Sequence, residues 1–443
     1  MNKIIMASDE NGSAEISSVI NQHAITGSAD GEVSESTAAP MLNQPKPAFL
    51  EPDSLPTQEG PGGIRYDFNF GCRVFSPSCD DGVSWTVRLS DTLTGNVIFE
   101  STMPSGGSIQ STKKFYVPFK LECWKGCELV FTHTLDCRNK DVLIQVPVGT
   151  LGDAIAWFPY IDAFQKKHEC QLTCLISSPL KALFESRYPN IQFVEQNVAL
   201  AQNKFYATYR LGLFFDDTEC VNQPVDFRYV GLHKTAAYIL GVDPIESPPR
   251  VAFSTKKRLI KEPYVCIAVQ SSTLCKYWNN PHGWIEIVAW LKEVGYRVLC
   301  IDKEKVWGQG MAWTSIPNGA EDFTGNLPLA ERAALLRDAD FFVGLSSGLA
   351  WLAWAAGTPV VMISGFTHPN NEFYTPHRVF NYHTCNSCWN DPRVMFDHYD
   401  FFWCPRHKGT DRQYECTRLI TINHVKELIQ SVPAFQKVVK VLN

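Results

Sequence analysis

The sequence predicts an α/β protein in which two blocks of alternating strand and helix follow one another, with a small β domain in front and a four-cysteine segment behind. Three observations predict it. Short apolar runs ending in Gly- or Ser-rich turns are followed by helical periodicity, first over about 139–245 and again over about 250–380. Alternation of that kind builds a parallel sheet covered by helices. A stretch with three prolines, Pro244–Arg250, separates the two blocks. Four cysteines then close the chain at a spacing that suits one metal ion.

Residues 1–60 are rich in Ser, Ala, Glu, Asn and Pro with little periodicity, which predicts a flexible extension. Over 61–138 short alternating runs such as Trp85–Leu89 and Asn96–Glu100 lie between Gly and Asp turns, which reads as a β domain. In the first block Val142–Val146 reads as a buried strand, Gly149–Asp153 as a tight turn and Ala154–Lys167 as a helix. Further strands are expected at Gln171–Ser177, Ile191–Val194 and Leu211–Phe215. The second block opens with the strand at Tyr264–Val269. Its helix over 283–294 carries Trp284, Ile287, Val288 and Leu291 on one face and stops at Gly295. A strand at Arg297–Ile301, a helix over 328–337, a strand at Phe341–Gly344, a helix over 349–356 and a strand at Val360–Ile363 complete it. Residues 381–418 hold the cysteines, and 419–443 end the chain with a helix over roughly 422–431.

The chain has 443 residues, 45% of them hydrophobic and 19% charged, as in soluble globular proteins. A net charge of −6 argues against a general nucleic-acid binder. Leu349–Ile363 is broken by Gly357 and Pro359, so no membrane span is expected. Met1–Asp30 has no apolar run long enough for a secretory signal, and 15 cysteines is an odd number. A reducing cytoplasm, with thiols free or metal-bound, is the expected setting.

Cys385, Cys388, Cys404 and Cys416 read C-x2-C-x15-C-x11-C. The first pair can turn both sulfurs toward one ion and the second pair can complete a tetrahedron. Zinc and mononuclear iron both accept four thiolates. Buried but unrelated thiols are the plain alternative. Cys123, Cys127 and Cys137 are one ligand short of a closed site and read as core or surface thiols.

Asp153 follows Thr150, Leu151 and Gly152 where a strand passes into a helix. It reads either as an N-cap or as a general base toward a hydroxyl. After the strand ending at Val269, Gln270, Ser272 and Lys276 offer polar groups and a cation to a pyrophosphate. Ser347 and Gly348 open a helix whose amides suit phosphate, and Asp302 stands where a carboxylate bonds ribose hydroxyls. Together these groups suggest a nucleoside diphosphate bound by the second block. Gly344–Gly348 also matches G-x-S-x-G, the nucleophile elbow of serine hydrolases, with Ser346 as nucleophile and Asp391 and His407 as triad candidates. A non-catalytic metal-finger scaffold is the third reading.

The segments Gly149–Ala154, Cys275–Trp284 and Gly344–Trp354, with the four cysteines, resemble the bacterial autotransporter heptosyltransferases, the TibC-like family related to lipopolysaccharide heptosyltransferases. The likeness spans about 61–443. It implies two Rossmann-like domains in the GT-B architecture, the first catalytic and acceptor-binding, the second holding ADP-heptose. It implies transfer of heptose to serine or threonine hydroxyls of an autotransporter adhesin. In that family pattern Asp153 is the catalytic base, Thr150, Leu151 and Gly152 line the cleft, Ser272 and Lys276 meet the diphosphate, and Glu372 binds the donor. The resemblance also implies that the four cysteines hold one structural iron and that the chain forms a dodecameric ring.

Overall fold

The computed structural model describes residues 49–79, 82–147, 151–201, 203–255 and 260–442. The extension up to residue 48 and the candidate Thr150 therefore lie outside the described residues. The chain divides into Met1–Gln44 and Pro45–Asn443, and every element below belongs to the second unit.

The first α/β block is built on four parallel strands in the order Ile191–Glu195, Gln171–Ile176, Asp141–Gln145, Ala207–Arg210. Arg65–Asn69, from the stretch read as a β domain, pairs in parallel with Ala207–Arg210, and Arg73–Phe75 and Ser108–Gln110 extend the sheet antiparallel. The other strands of that stretch, Val97–Met103, Trp85–Asp91, Phe119–Lys125 and Glu128–Thr134, form a separate antiparallel sheet. Its inward residues Trp85, Val87, Leu89, Leu121 and Cys123 are buried, as the alternating pattern requires.

The second block has six parallel strands, ordered Glu321–Asp322, Arg297–Cys300, Tyr264–Ala268, Phe342–Leu345, Val360–Ile363, Arg378–Val379. Tyr264–Ala268 is buried along its whole length, which a central parallel strand covered on both faces demands. Helices Gly283–Glu293 and Ile422–Gln430 share one core with it through Ile287, Val288, Leu291, Val425 and Ile429. Pro433–Leu442 adds a helix that the periodicity reading missed.

In each sheet the strand order reverses beside the first strand. The reversal falls between Asp141–Gln145 and Ala207–Arg210 in one, and between Tyr264–Ala268 and Phe342–Leu345 in the other. Loops leaving such strand pairs open a crevice, the usual place for ligands in doubly wound sheets. Three expectations need correction. Leu211–Phe215 is irregular and the strand lies just before it: Leu211 enters the core, whereas Leu213, Phe214 and Phe215 line a cavity rather than the sheet. The helix read from Ala154 begins at Leu151, so Asp153 sits inside its first turn and is not its N-cap. Val306–Gln309 and Ala312–Ser315 form a hairpin that was not expected. Among the described residues no helix is long and apolar enough to cross a membrane.

Candidate active site

The crevice loops of both sheets enclose one cavity of about 700 Å³. Leu151, Gly152 and Asp153 line it from the first block, and Gln270, Ser272, Lys276, Asp302, Ser347, Gly348 and Glu372 from the second. Residues more than 200 positions apart in sequence are thus collected at one place.

Two helix N-termini meet there. A Cβ on Gly152 would lie 2.8 Å from Cδ1 of Trp351, and one on Gly348 would lie 2.9 Å from Cβ of Leu151. Glycine at both positions lets helices Leu151–His168 and Gly348–Ala355 approach almost end to end. Their free amide groups and the positive ends of their dipoles favour an anion between them. Asp153 is half-buried at the edge of this anion site.

Asp302 is 2% exposed, and its carboxylate accepts from the amides of Val269 (2.8 Å) and Gln270 (3.2 Å). Burial pushes its carboxyl above the usual range, with the two amides opposing. The residue therefore braces the turn that carries the polar loop. Gln270 is spent similarly, its side-chain amide donating to the carbonyl of Glu304. Ser272 is exposed to the cavity, and Nζ of Lys276 lies 5.2 Å from the Phe366 ring centroid, a geometry that attracts a cation.

Glu372 is 2% exposed and fully engaged. It accepts from Ser346 Oγ (2.5 Å) and Asn371 Nδ2 (3.2 Å) on one oxygen and from Arg378 (2.9 Å) on the other. Ser346 in turn accepts from Thr367 at 3.2 Å. The hydrolase triad needs an imidazole beside Ser346, whereas this hydroxyl donates its hydrogen bond to the Glu372 carboxylate. Asp391 pairs with Arg393 and Arg406, and His407 groups with Cys385 and Glu415. The triad expected of a hydrolase is not assembled. Arg378, unremarkable in the sequence, is what lets Glu372 be buried as a carboxylate.

The cysteine segment lies beside the cavity and contributes Trp389, Phe396 and His398 to its wall. The Cys385 and Cys388 thiols hydrogen-bond, and burial pushes Cys388 up to about 12. Cys416 is raised as well, by burial and then by Cys275, Cys388, Cys404 and Cys385 around it. Cys385, His407 and Glu415 also bring ligand atoms within 4.8 Å of one another. Cys275, which no spacing rule had joined to the four, shares their core at 3% exposure. The other trio is unconnected with this group, with Cys123 and Cys137 buried and Cys127 exposed.

Comparison with known proteins identifies the family. Residues 60–127 match the family Glycosyltransferase TibC, N-terminal domain, and residues 228–394 match Glycosyltransferase family 9 (heptosyltransferase). Autotransporter heptosyltransferase Aah of Escherichia coli is 52% identical over 394 residues, covering 87% of this chain and 97% of its own. The chain belongs to the autotransporter heptosyltransferases. Within that family, a crystal structure of dodecameric iron-containing heptosyltransferase TibC in complex with ADP-D-beta-D-heptose matches at a TM-score of 0.82 and 50% identity. The match covers 89% of this chain and all (100%) of that one. An inactive autotransporter heptosyltransferase, BimC of Burkholderia thailandensis, is 45% identical over 387 residues, 87% of this chain and 89% of its own.

Proposed function

We propose that the chain is a protein O-heptosyltransferase that moves heptose from ADP-heptose to serine or threonine hydroxyls of an autotransporter adhesin passenger in the cytoplasm. One observation carries the reading: a carboxylate of the first block, Asp153, lines the same cavity as the polar loops of the second that carry Ser272, Lys276 and Gly348. In the GT-B sense the second block holds the donor and the first presents the acceptor.

In the reaction the acceptor oxygen attacks the anomeric carbon while Asp153 takes the hydroxyl proton. The bond from that carbon to the β-phosphate oxygen breaks, and its electron pair leaves with ADP. Lys276, Ser272 and the amides at Ser347 and Gly348 meet the charge that grows on the diphosphate. Leu151 and Gly152 bring Asp153 to the anion site. Glu372 holds Ser346, and Asp302 and Gln270 hold the loop after Val269, so these three shape the donor site from behind. Thr150 completes the family pattern.

The four thiols of Cys385, Cys388, Cys404 and Cys416 would suit either iron or zinc, and iron is preferred because the similar TibC is iron-containing. Glu415 is occupied by the amide of Cys385 (2.8 Å) and by Arg412, which favours the all-thiol set over the trio that includes it. Four thiolates leave no open position, so the ion would stabilise structure and take no part in transfer. A dodecameric ring like that of TibC would present many cavities to a repetitive acceptor. The test is incubation of the purified chain with ADP-heptose and a passenger fragment. ADP release matched by a heptose mass gain on the passenger supports the reading, and ADP-heptose left intact by folded protein contradicts it.

A further inference from the structure

The loop that carries Ser272 and Lys276 is braced by Asp302 at the end of its own sheet and is held from a second side as well. Its backbone and side chains bond to the cysteine segment at Phe401 and Thr417, and to Ile420 just beyond it. The amide of Leu274 donates to the carbonyl of Phe401 (2.9 Å), and Trp278 Nε1 and Asn280 Nδ2 both donate to the carbonyl of Ile420 (3.1 Å each). Asn279 is the most telling. Its side-chain amide donates at 3.0 Å to the carbonyls of Leu274 and Tyr277, which bracket Lys276, and at 3.0 Å to Thr417 Oγ1. Thr417 is fully buried and follows Cys416 directly. The loop leading to Glu372 is joined in the same way. Ser387 and Trp389 donate from their amides to the carbonyls of Gly365 (2.8 Å) and Phe366 (3.0 Å), and a Cβ on Gly365 would come within 2.5 Å of the Cys416 carbonyl.

We infer that Asn279 is a positioning residue: through Thr417 it ties the Lys276 turn to the cysteine segment, so that metal and nucleoside diphosphate strengthen each other's binding. The inference rests on the donor reading above and adds to it a coupling between two sites. An ordered segment fixes Cys416 and Thr417, Thr417 fixes Asn279, and Asn279 fixes the Leu274 and Tyr277 carbonyls on either side of Lys276. Reciprocity then requires that ADP tighten the metal by the same factor as the metal tightens ADP.

The experiment is equilibrium partition of iron between the holoprotein and a competing chelator, with saturating ADP, with adenosine, and with neither. ADP should shift the partition toward protein by about fivefold or more, and adenosine, which lacks the diphosphate, should not. Thr417→Val should keep its metal but bind ADP about two- to tenfold more weakly by calorimetry, the worth of one hydrogen bond. Its partition should respond less to ADP, and Thr417→Ser should restore both. An identical partition with and without bound ADP overturns the coupling while leaving the donor site standing. Absence of ADP binding to the holoprotein overturns the donor reading and the coupling with it. Should Thr417→Val fail to fold, the wild-type partition decides alone.

Discussion

Gly152→Ala sets two effects of opposite sign against each other. Gly152 lies in the first turn of helix Leu151–His168, where helix propensity alone favours alanine by about 0.8–1.0 kcal/mol. The added Cβ, however, would sit 2.8 Å from Cδ1 of Trp351. Carbon atoms pack at about 3.5–4.0 Å, so something must move by about 0.7 Å. Trp351 is poorly placed to yield, being 3% exposed and packed edge-on against Trp354 (5.6 Å) and Phe373 (4.9 Å). Overpacking costs about 1–3 kcal/mol, so net destabilisation of up to about 2 kcal/mol is expected from thermal or denaturant unfolding. Function should suffer more than stability. The residue that moves with the helix is Asp153, and a displacement approaching 1 Å costs up to about 10²-fold. We expect kcat/KM for heptose transfer to fall about ten- to hundredfold, with ADP binding lowered less. A variant with higher stability and undiminished transfer would refute the packing argument.

Three further outcomes follow from the same geometry. Lys276→Ala should lower kcat/KM by about 10²–10³-fold, the usual loss when a charge-stabilising group is removed, as measured by ADP release. Ser346→Ala should retain transfer within about tenfold, since only one hydrogen bond to Glu372 is lost, and wild-type protein should resist labelling by a fluorophosphonate; stoichiometric labelling would revive the hydrolase. Glu246 joins the blocks, accepting from the Tyr374 amide (2.9 Å) and facing His233 Nε2 (3.3 Å). Burial pushes its carboxyl up, but His233 and the Tyr374 amide together hold it below 4.5. A depressed carboxylate stabilises the fold above its unfolded value and loses that contribution as pH falls through the native one. Glu246→Gln should therefore cost about 1 kcal/mol near neutral pH, with the difference from wild type closing in acid.

The alternation of strand and helix was legible because both sheets are parallel and buried at their centres: Val142–Ile144 and Tyr264–Ala268 are apolar throughout, and a helix follows each. The ligand loops were legible for the same reason, since strand ends mark the crevice. Pairing between distant segments was not. Nothing local in Arg65–Asn69 says that it lies beside Ala207–Arg210. The hairpin over 306–315 escaped notice because it packs little, with Val306 at 53%, Met311 at 98% and Trp313 at 63% exposure, so no buried face marks it. Leu211–Phe215 misled in the opposite way, with Leu213, Phe214 and Phe215 lining ligand space rather than the sheet. Glu372 was found by resemblance, but that it is saturated by Ser346, Asn371 and Arg378 emerged only from contacts spanning separate loops.

The central claim is that Asp153 is the base of a heptosyl transfer. The measurement that tests it most directly is transfer by Asp153→Ala, with ADP-heptose and a passenger fragment followed by intact mass, beside ADP calorimetry on the same sample. The account predicts retained ADP binding and a passenger that gains no heptose. A folded Asp153→Ala protein that modifies the passenger at the wild-type rate would contradict it.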